Sequence, residues 1–411
     1  MAAPSTEQTR VTEEAGAVPR AALVIGILFF IFFLGSSDNQ MISPLLPLIA
    51  REFGMPEGAV GQLIGPAYSL AAAAAALIIG PLSDRFGRRR FLLYGSILFG
   101  ASLTSVAFIH NPVTMAGVRL FTGLAAGTFS TCSIAYVGDY FPYKRRGVAM
   151  SVVQAGQFAA LVVGVQIANN LASWRGWRLS FEAFGIMALA AFVFVFAALP
   201  DDSHHARAES AARSRFENIG VVFGTSERIA SIAAAFFVSG GFFGFFFYLG
   251  SWMRQSLAFA TRDFDVTFAL IGIALLLGVV LAGPLSNRVG ARVLSIVSTV
   301  VLAALLVGIP SLGRSVLLYA SVMSAALAFA LRQGPLAALA TELVPRHARG
   351  ALVAARNCAS QIGISAALYV SGSLFDKYGY RGVGIFSAAM SFAAAVCIFW
   401  MNEPRSEKKD D

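Results

Sequence analysis

The segment Gly80 to Arg90, GPLSDRFGRRR, returns as GPLSNRVGARV at Gly283 to Val293, 203 positions later. The same offset carries Asp139 onto Glu342, Pro142 onto Pro345, Arg146 onto Arg349, Gly147 onto Gly350, Gly176 onto Gly379 and Arg178 onto Arg381. So many landmarks in one register mean that the chain is a duplication. Its halves must then hold elements of equal length, the pattern of a parallel repeat in membrane transporters.

Hydrophobic residues make up 57% of the 411 positions and charged residues 13%, with a mean hydropathy of +0.71. That balance excludes an ordinary soluble domain and places most of the chain in lipid. A spanning helix needs ~20 apolar residues. Twelve such runs are present, near 22–49, 60–81, 91–109, 113–139, 148–171, 180–199, 229–252, 265–284, 292–309, 315–342, 350–374 and 381–401. The expected fold is an all-α membrane protein of twelve transmembrane helices in two pseudo-symmetric six-helix bundles.

An even number of spans puts both termini on one side, and the basic loops choose the side. With the termini in the cytoplasm, 20 of the 31 Lys and Arg fall in cytoplasmic segments and 8 in external loops. This satisfies the positive-inside rule. The net charge of +9 therefore reflects topology and anionic lipid headgroups as partners. A nucleic-acid function has no other support. The expected location is the cytoplasmic membrane, of the bacterial inner-membrane kind.

The chain divides into an N-terminal tail over 1–21, a first bundle over 22–199, a linker over 200–228, a second bundle over 229–401 and a C-terminal tail over 402–411. The linker carries Asp201, Asp202, His204, His205, Arg207, Glu209, Arg213 and Arg215. It reads as a solvated tether or as an amphipathic helix on the inner leaflet. The first twenty residues lack the features of a removable signal, so the first span is expected to direct insertion. Cys132, Cys358 and Cys397 lie inside spans without metal-like spacing and read as inert buried thiols. With no GxxxxGK[ST] string and no nucleophile, base and orienting group at a shared helical spacing, neither an ATP-driven pump nor an enzyme is expected.

GPLSDRFGRRR resembles the signature loop between helices 2 and 3 of the major facilitator superfamily, and the resemblance spans nearly the whole chain. Arg119 to Gly123 resembles the family's intramembrane R-x-x-x-G motif. Asp38 with Pro44, Leu46 and Pro47 resembles the Asp-to-Pro motif of proton-coupled exporters, of the drug:H+ antiporter or sugar-efflux type. The fifth span lacks the Gly-Pro pair usual in the antiporters, although Gly156, Ala160 and Gly164 keep small-residue spacing. The resemblance implies two bundles around one cavity that opens alternately to either side.

The signature loop also has a physical reading. Asp84 is a carboxylate at the cytoplasmic boundary, able to face the positive N-terminal end of the eleventh helix near Gly350. Arg85 or Arg88 would complete a charge cluster, with Asp139 and Arg146 as further members. Gly80 and Gly87 allow close approach and a tight turn. Together these residues read as a conformational latch closing the cytoplasmic side. Arg89 and Arg90 read as topology anchors. Asn287 replaces the aspartate in the second copy, so the latch should be one-sided.

Ionisable groups inside the hydrocarbon cost ~2.5–3.5 kcal/mol each on insertion scales and are functional candidates. Asp38 and Arg119 differ in depth by only ~6 Å at the helical rise, so they can meet. Protonation of Asp38 would break the pair and free Arg119, a proton-dependent switch. The alternative is a structural ion pair joining two helices. Arg332 either binds an anionic substrate group or has a structural partner from the seventh or eleventh helix. Arg356 lies near the inner end of its span and can snorkel to the interface.

Neutral polar residues align on two helices related by the repeat. Gln154 and Gln157 sit at i, i+3 on the fifth span, Asn357 and Gln361 at i, i+4 on the eleventh, with Gln166, Asn169 and Ser360 nearby. They line a water-filled cavity or hydrogen-bond neighbouring helices. The seventh span reads FFVSGGFFGFFFYLG, from which Phe243, Phe247 and Tyr248 are gate or substrate candidates. The leading expectation is a monomeric secondary transporter without a cofactor. It would be driven by protons and export a small, amphipathic organic molecule. Symport or exchange of an organic anion through Arg119 and Arg332, and a non-transporting receptor of the same fold, are the alternatives.

Overall fold

The structure is a computed structural model and describes residues 20–201, 217–345 and 348–401. The terminal tails up to residue 19 and from 402, and the linker residues 202–216 with His204 and His205, lie outside the described residues. Ten helices are α1 Ala21–Phe53, α2 Glu57–Phe86, α3 Arg88–Phe108, α4 Pro112–Tyr140, α5 Arg145–Arg175, α6 Trp177–Ala198, α7 Ser226–Leu257, α8 Thr261–Val289, α9 Ala291–Ser311 and α10 Val316–Glu342. The helical segment Arg349–Trp400 holds two more, α11 over 349–378 and α12 over 380–400, parted at Gly379 where φ is 66° and ψ is −168°. The expected all-α architecture of twelve spans is therefore present among the described residues. Where the sequence suggested a loop after residue 374, helix continues and turns at one glycine.

Local chemistry sets the boundaries. Asn111 caps α4 by accepting from the Thr114 N–H at 2.8 Å, and Pro112 occupies the first helical position, where its missing N–H costs nothing. The turns α2–α3 and α8–α9 pass through Gly87 and Gly290, at φ 92° and 87°. A side chain would be strained at those angles. These two glycines are repeat equivalents, as are Gly176 and Gly379, so the duplication extends to backbone conformation. Helix α1 has 33 residues, a length of ~50 Å, and overreaches a ~30 Å hydrocarbon core.

Within the first bundle α2 packs on α4, α3 on α4 and α6, and α1 on α5 and α6. In the second bundle α8 and α9 pack on α10. The bundles meet at the end remote from the Gly87 and Gly290 loops, called here the far end; the opposite end is the basic end. On α1, the Ser43 hydroxyl donates to the Phe246 carbonyl of α7 at 2.8 Å and accepts from the Gly250 N–H at 3.2 Å. Ser43 and Phe246 are 203 positions apart, so α1 and α7 cross on the pseudo-twofold axis itself. Pro47 has no N–H to offer the Ser43 carbonyl, and Gly250 packs against that part of α1.

Two further seams flank the crossing. Between α2 and α11, Gly58 N–H donates to Asp376 at 2.9 Å, and the Gln62 amide donates to the Tyr369 carbonyl at 2.7 Å and to the Ser373 hydroxyl. Between α5 and α8, Gln166 donates to the Asp265 carbonyl at 3.1 Å and Asn169 to its carboxylate at 2.9 Å. These two seams are pseudo-symmetric in helix identity but not in chemistry. Toward the basic end the facing surfaces are open, and Gln154, Gln157 and Asn357 are exposed. An amide facing lipid would be costly, so these side chains mark a space between the bundles that opens at the basic end.

A methyl group at position 250 would lie 2.7 Å from the Ser43 carbonyl carbon and 2.9 Å from the Pro44 Cα, both backbone atoms that cannot yield. Gly250→Ala is expected to hold the far end open. A cysteine placed at Gln62 should then react faster with an impermeant maleimide supplied at that end. Unchanged labelling would show that the crossing tolerates the methyl.

Candidate functional site

The centre of the first bundle holds the two ionisable residues singled out from the sequence. Asp38 on α1 and Arg119 on α4 are 0% and 1% exposed, and Arg119 Nη1 lies 2.7 Å and 2.6 Å from the two carboxylate oxygens. The Tyr68 ring of α2 covers the guanidinium, with Cζ 4.3 Å from the ring centroid. Tyr68 OH in turn donates to the Gly35 carbonyl of α1 at 3.2 Å. Three helices thus converge on one ion pair, and a cation–π contact adds to a charge-assisted bond in a dry setting. The pair is sealed within its bundle and does not line the open space.

Helix α5 wraps the same segment of α1. Its Ala160–Gly164 stretch forms a π-helical turn, a feature common at functional sites. Gly164 packs against Ser37, and the Gln40 amide donates to the Gln157 carbonyl at 3.0 Å. The residues flanking Asp38 are therefore held by the helix that carries the exposed Gln154 and Gln157.

At the basic end, Arg88 is the hub of the signature loop. It pairs with Asp84 at 2.7 Å, one turn earlier on α2, and with Asp139 at the end of α4, while donating to the Ser83 hydroxyl at 3.3 Å. The loop residues gather α2, α3 and α4 of one bundle. Arg85 is exposed and lies over the Phe86 ring, Gly80 is half-buried, and Arg146 donates to the Phe141 carbonyl at 3.4 Å. Arg89 is not only an anchor: it donates to the Phe196 carbonyl at 2.6 Å and stacks on that ring. Arg292 repeats both contacts with Phe399, at the same offset of 203. Asn287 is exposed.

The second bundle carries Arg332 at the interruption of α10, 0% exposed. It donates to the Thr299 hydroxyl of α9 at 3.0 Å and to the Val238 carbonyl of α7 at 3.3 Å, and it lies over the Phe329 ring. Arg356 is half-buried near the inner end of its span and donates to the Ser231 carbonyl of α7 at 2.8 Å and to the Ser231 hydroxyl. Phe243 is half-buried against Phe242 and Phe329, whereas Phe247 is 8% exposed and packs toward Gly65 and Leu368 at the α2–α11 seam. Tyr248 donates to the Leu368 carbonyl at 3.1 Å in the same seam. Gln361 is half-buried.

The sequence profile of the Major Facilitator Superfamily matches residues 28–368 and, in a second match, 233–411. The chain belongs to the Major Facilitator Superfamily. One relative is an uncharacterized transporter of this type, YwfA of Bacillus subtilis, 24% identical over 90% of this chain and 88% of its own. Another is a chloramphenicol resistance protein of Streptomyces lividans, 27% identical over 72% of this chain and 75% of its own. Among solved structures, a D-xylose-proton symporter superposes with a TM-score of 0.76 at 20% identity, covering 94% of this chain and 99% of its own, which establishes the shared fold. The protein is thus a multi-pass membrane transporter of that superfamily and not an enzyme.

Sequence reasoning missed Tyr68, Gln40 and Ser43. A ring over a buried cation has no linear signature, since Tyr68 and Arg119 lie on different helices. Ser43 carried none either, because its repeat equivalent is Phe246 and their meeting is a property of the fold. For this superfamily member, Asp38→Asn leaves Arg119 buried without a counter-charge, at a cost of about 3–5 kcal/mol. Thermal unfolding in detergent should show that loss, and the double change Asp38→Asn with Arg119→Gln should cost less than the sum of the singles. Additive losses would mean that the pair is not coupled.

Proposed function

We propose that this transporter is a proton-coupled exporter of a small organic molecule, with Asp38 as the proton site. The buried Asp38–Arg119 pair under Tyr68 carries the reading. A carboxylate in hydrocarbon is tolerated either paired or protonated, and the two forms differ by one full bond to Arg119. Protonation releases the guanidinium from α1 and loosens the junction of α1, α2 and α4. The charge bias of the loops supports placing the basic end in the cytoplasm of a bacterial inner membrane, with both termini inside. The conformation is then inward-open, and the far-end seams form the external closure. Gln154, Gln157, Asn357 and Gln361, with Phe243, border the substrate's path and Arg332 lies buried beside it, while Phe247 contributes to it once the far end opens. Outward direction draws support from the chloramphenicol resistance protein among the relatives.

Asp84 is assigned to a latch used in the opposite conformation, when the basic end closes and the α11 N-terminus near Gly350 approaches α2. In the inward-open state its carboxylate is held by Arg88 within its own bundle. Arg88 thus keeps the loop ordered while the latch is disengaged. Asp84→Asn should weaken basic-end closure, so a cysteine at Gly350 stays accessible from that side throughout turnover. Protection equal to that of the unmodified loop would contradict the assignment.

The direct test is flux in proteoliposomes under an imposed pH gradient, with chloramphenicol in the first substrate panel. Export predicts that a substrate moves against its gradient only when protons move the opposite way. Asp38→Asn should abolish the pH dependence of flux, and a fully proton-coupled Asp38→Asn protein would refute the switch. Symport of an organic anion predicts co-directional movement in the same assay, and exchange predicts uptake only into vesicles preloaded with an anion.

A further inference from the structure

The second bundle holds one fully buried guanidinium, Arg332, and one half-buried, Arg356, and neither meets a carboxylate among the described residues. Arg332 has Thr299 and Val238 as hydrogen-bond partners, and its Nε is buried with none. Among the described residues Arg356 reaches Ser231, through a single Nη. A carbonyl or hydroxyl occupies an N–H but supplies no negative charge, and a guanidinium does not escape by deprotonation. The first bundle solves the same problem differently, by setting Asp38 against Arg119.

Both cations attach to one helix. Ser231 and Val238 are separated by about two turns of α7, ~10 Å along its axis. The residue following each arginine, Gln333 on α10 and Asn357 on α11, is exposed. Each arginine is thus one residue along its helix from an exposed amide, and no carboxylate among the described residues cancels its field. A wall of one sign behind a low-dielectric surface concentrates counter-ions of the other sign.

We propose that Arg332 and Arg356 select a small organic anion bearing a carboxylate as the transported substrate, Arg356 by direct contact and Arg332 through its field. The assignment rests on the transport reading but holds for either direction of flux. The anion supplies the counter-charge to the second bundle, and the amides of Gln154 and Gln157 meet the rest of the molecule from the first.

The test compares benzoate with benzamide, alike in ring and size and different in charge, as ligands of the purified full chain in a thermal unfolding assay. Benzoate should raise Tm and benzamide should not. Arg356→Gln should weaken the apparent benzoate affinity by about tenfold, the loss expected of one charge-assisted contact. Without ligand, Arg332→Gln should unfold at or above the Tm of the unmodified protein, because it removes an uncompensated buried charge. A purely structural arginine would lower it. If Arg332→Gln does not fold, Arg332→Lys keeps the charge and should keep the benzoate response. Equal shifts with both ligands, no shift with benzoate, or a lowered Tm with an intact benzoate response in the variants would overturn the proposal. These outcomes are independent of the flux assay, so loss of proton coupling there leaves the anion assignment standing and the reverse also holds.

Discussion

A charge inside hydrocarbon has to be neutralised, and this chain spends few residues on the problem. Burial of an ion is costly unless a partner and further hydrogen bonds are in place. The first bundle meets the requirement internally, where Asp38, Arg119 and Tyr68 draw α1, α2 and α4 onto one point. The second bundle has no equivalent carboxylate in the described residues and leaves Arg332 and Arg356 on α7 carbonyls. The two halves share a backbone plan and differ in electrostatics. That difference divides labour: proton chemistry is proposed for the first bundle and substrate charge for the second.

The pseudo-twofold axis constrains everything else. Ser43 touches its own repeat equivalent, and so at the α1–α7 crossing both bundles present the same position to each other. Away from the axis the paired seams, α2–α11 and α5–α8, face different partners, and duplication leaves each free to diverge. One carries Asp376 on the Gly58 N–H; the other carries Asp265 between Gln166 and Asn169. One contact within each bundle has been kept, Arg89 on Phe196 and Arg292 on Phe399.

Features that recur at a fixed offset were legible in the sequence: the twelve spans, the turn glycines and the basic loops. The meeting of Asp38 and Arg119 was legible too, because depth along a helix follows from residue count alone. Direction around a helix does not. Gln166 and Asn169 looked equivalent to Gln154 and Gln157, yet the first two bind α8 and the last two face open space. Arg356 illustrates the same limit. Its position near a span end suggested snorkelling and did not disclose the carbonyl on α7 to which it donates. Such choices depend on which helix comes next in space, and linear spacing does not encode that.

One helix joins the proton site to the external closure. Asp38 and Ser43 both lie on α1, about 7.5 Å apart along its axis at the helical rise. Just beyond Ser43, Pro44 and Pro47 withdraw the N–H groups that would bond the Gln40 and Ser43 carbonyls, so α1 is weakest along its own axis in that stretch. The flanks of the segment are held by α5, through Ser37 against Gly164 and Gln40 on the Gln157 carbonyl. In the proposed cycle, breaking the Asp38–Arg119 bond removes the anchor of α1 to α4 while its anchor to α5 persists. The softened turn at Pro44 and Pro47 is then where α1 yields, and Ser43 leaves Gly250 with it. A proton arriving at a carboxylate is thereby felt at the crossing on the symmetry axis, with no rearrangement required of the rest of the first bundle.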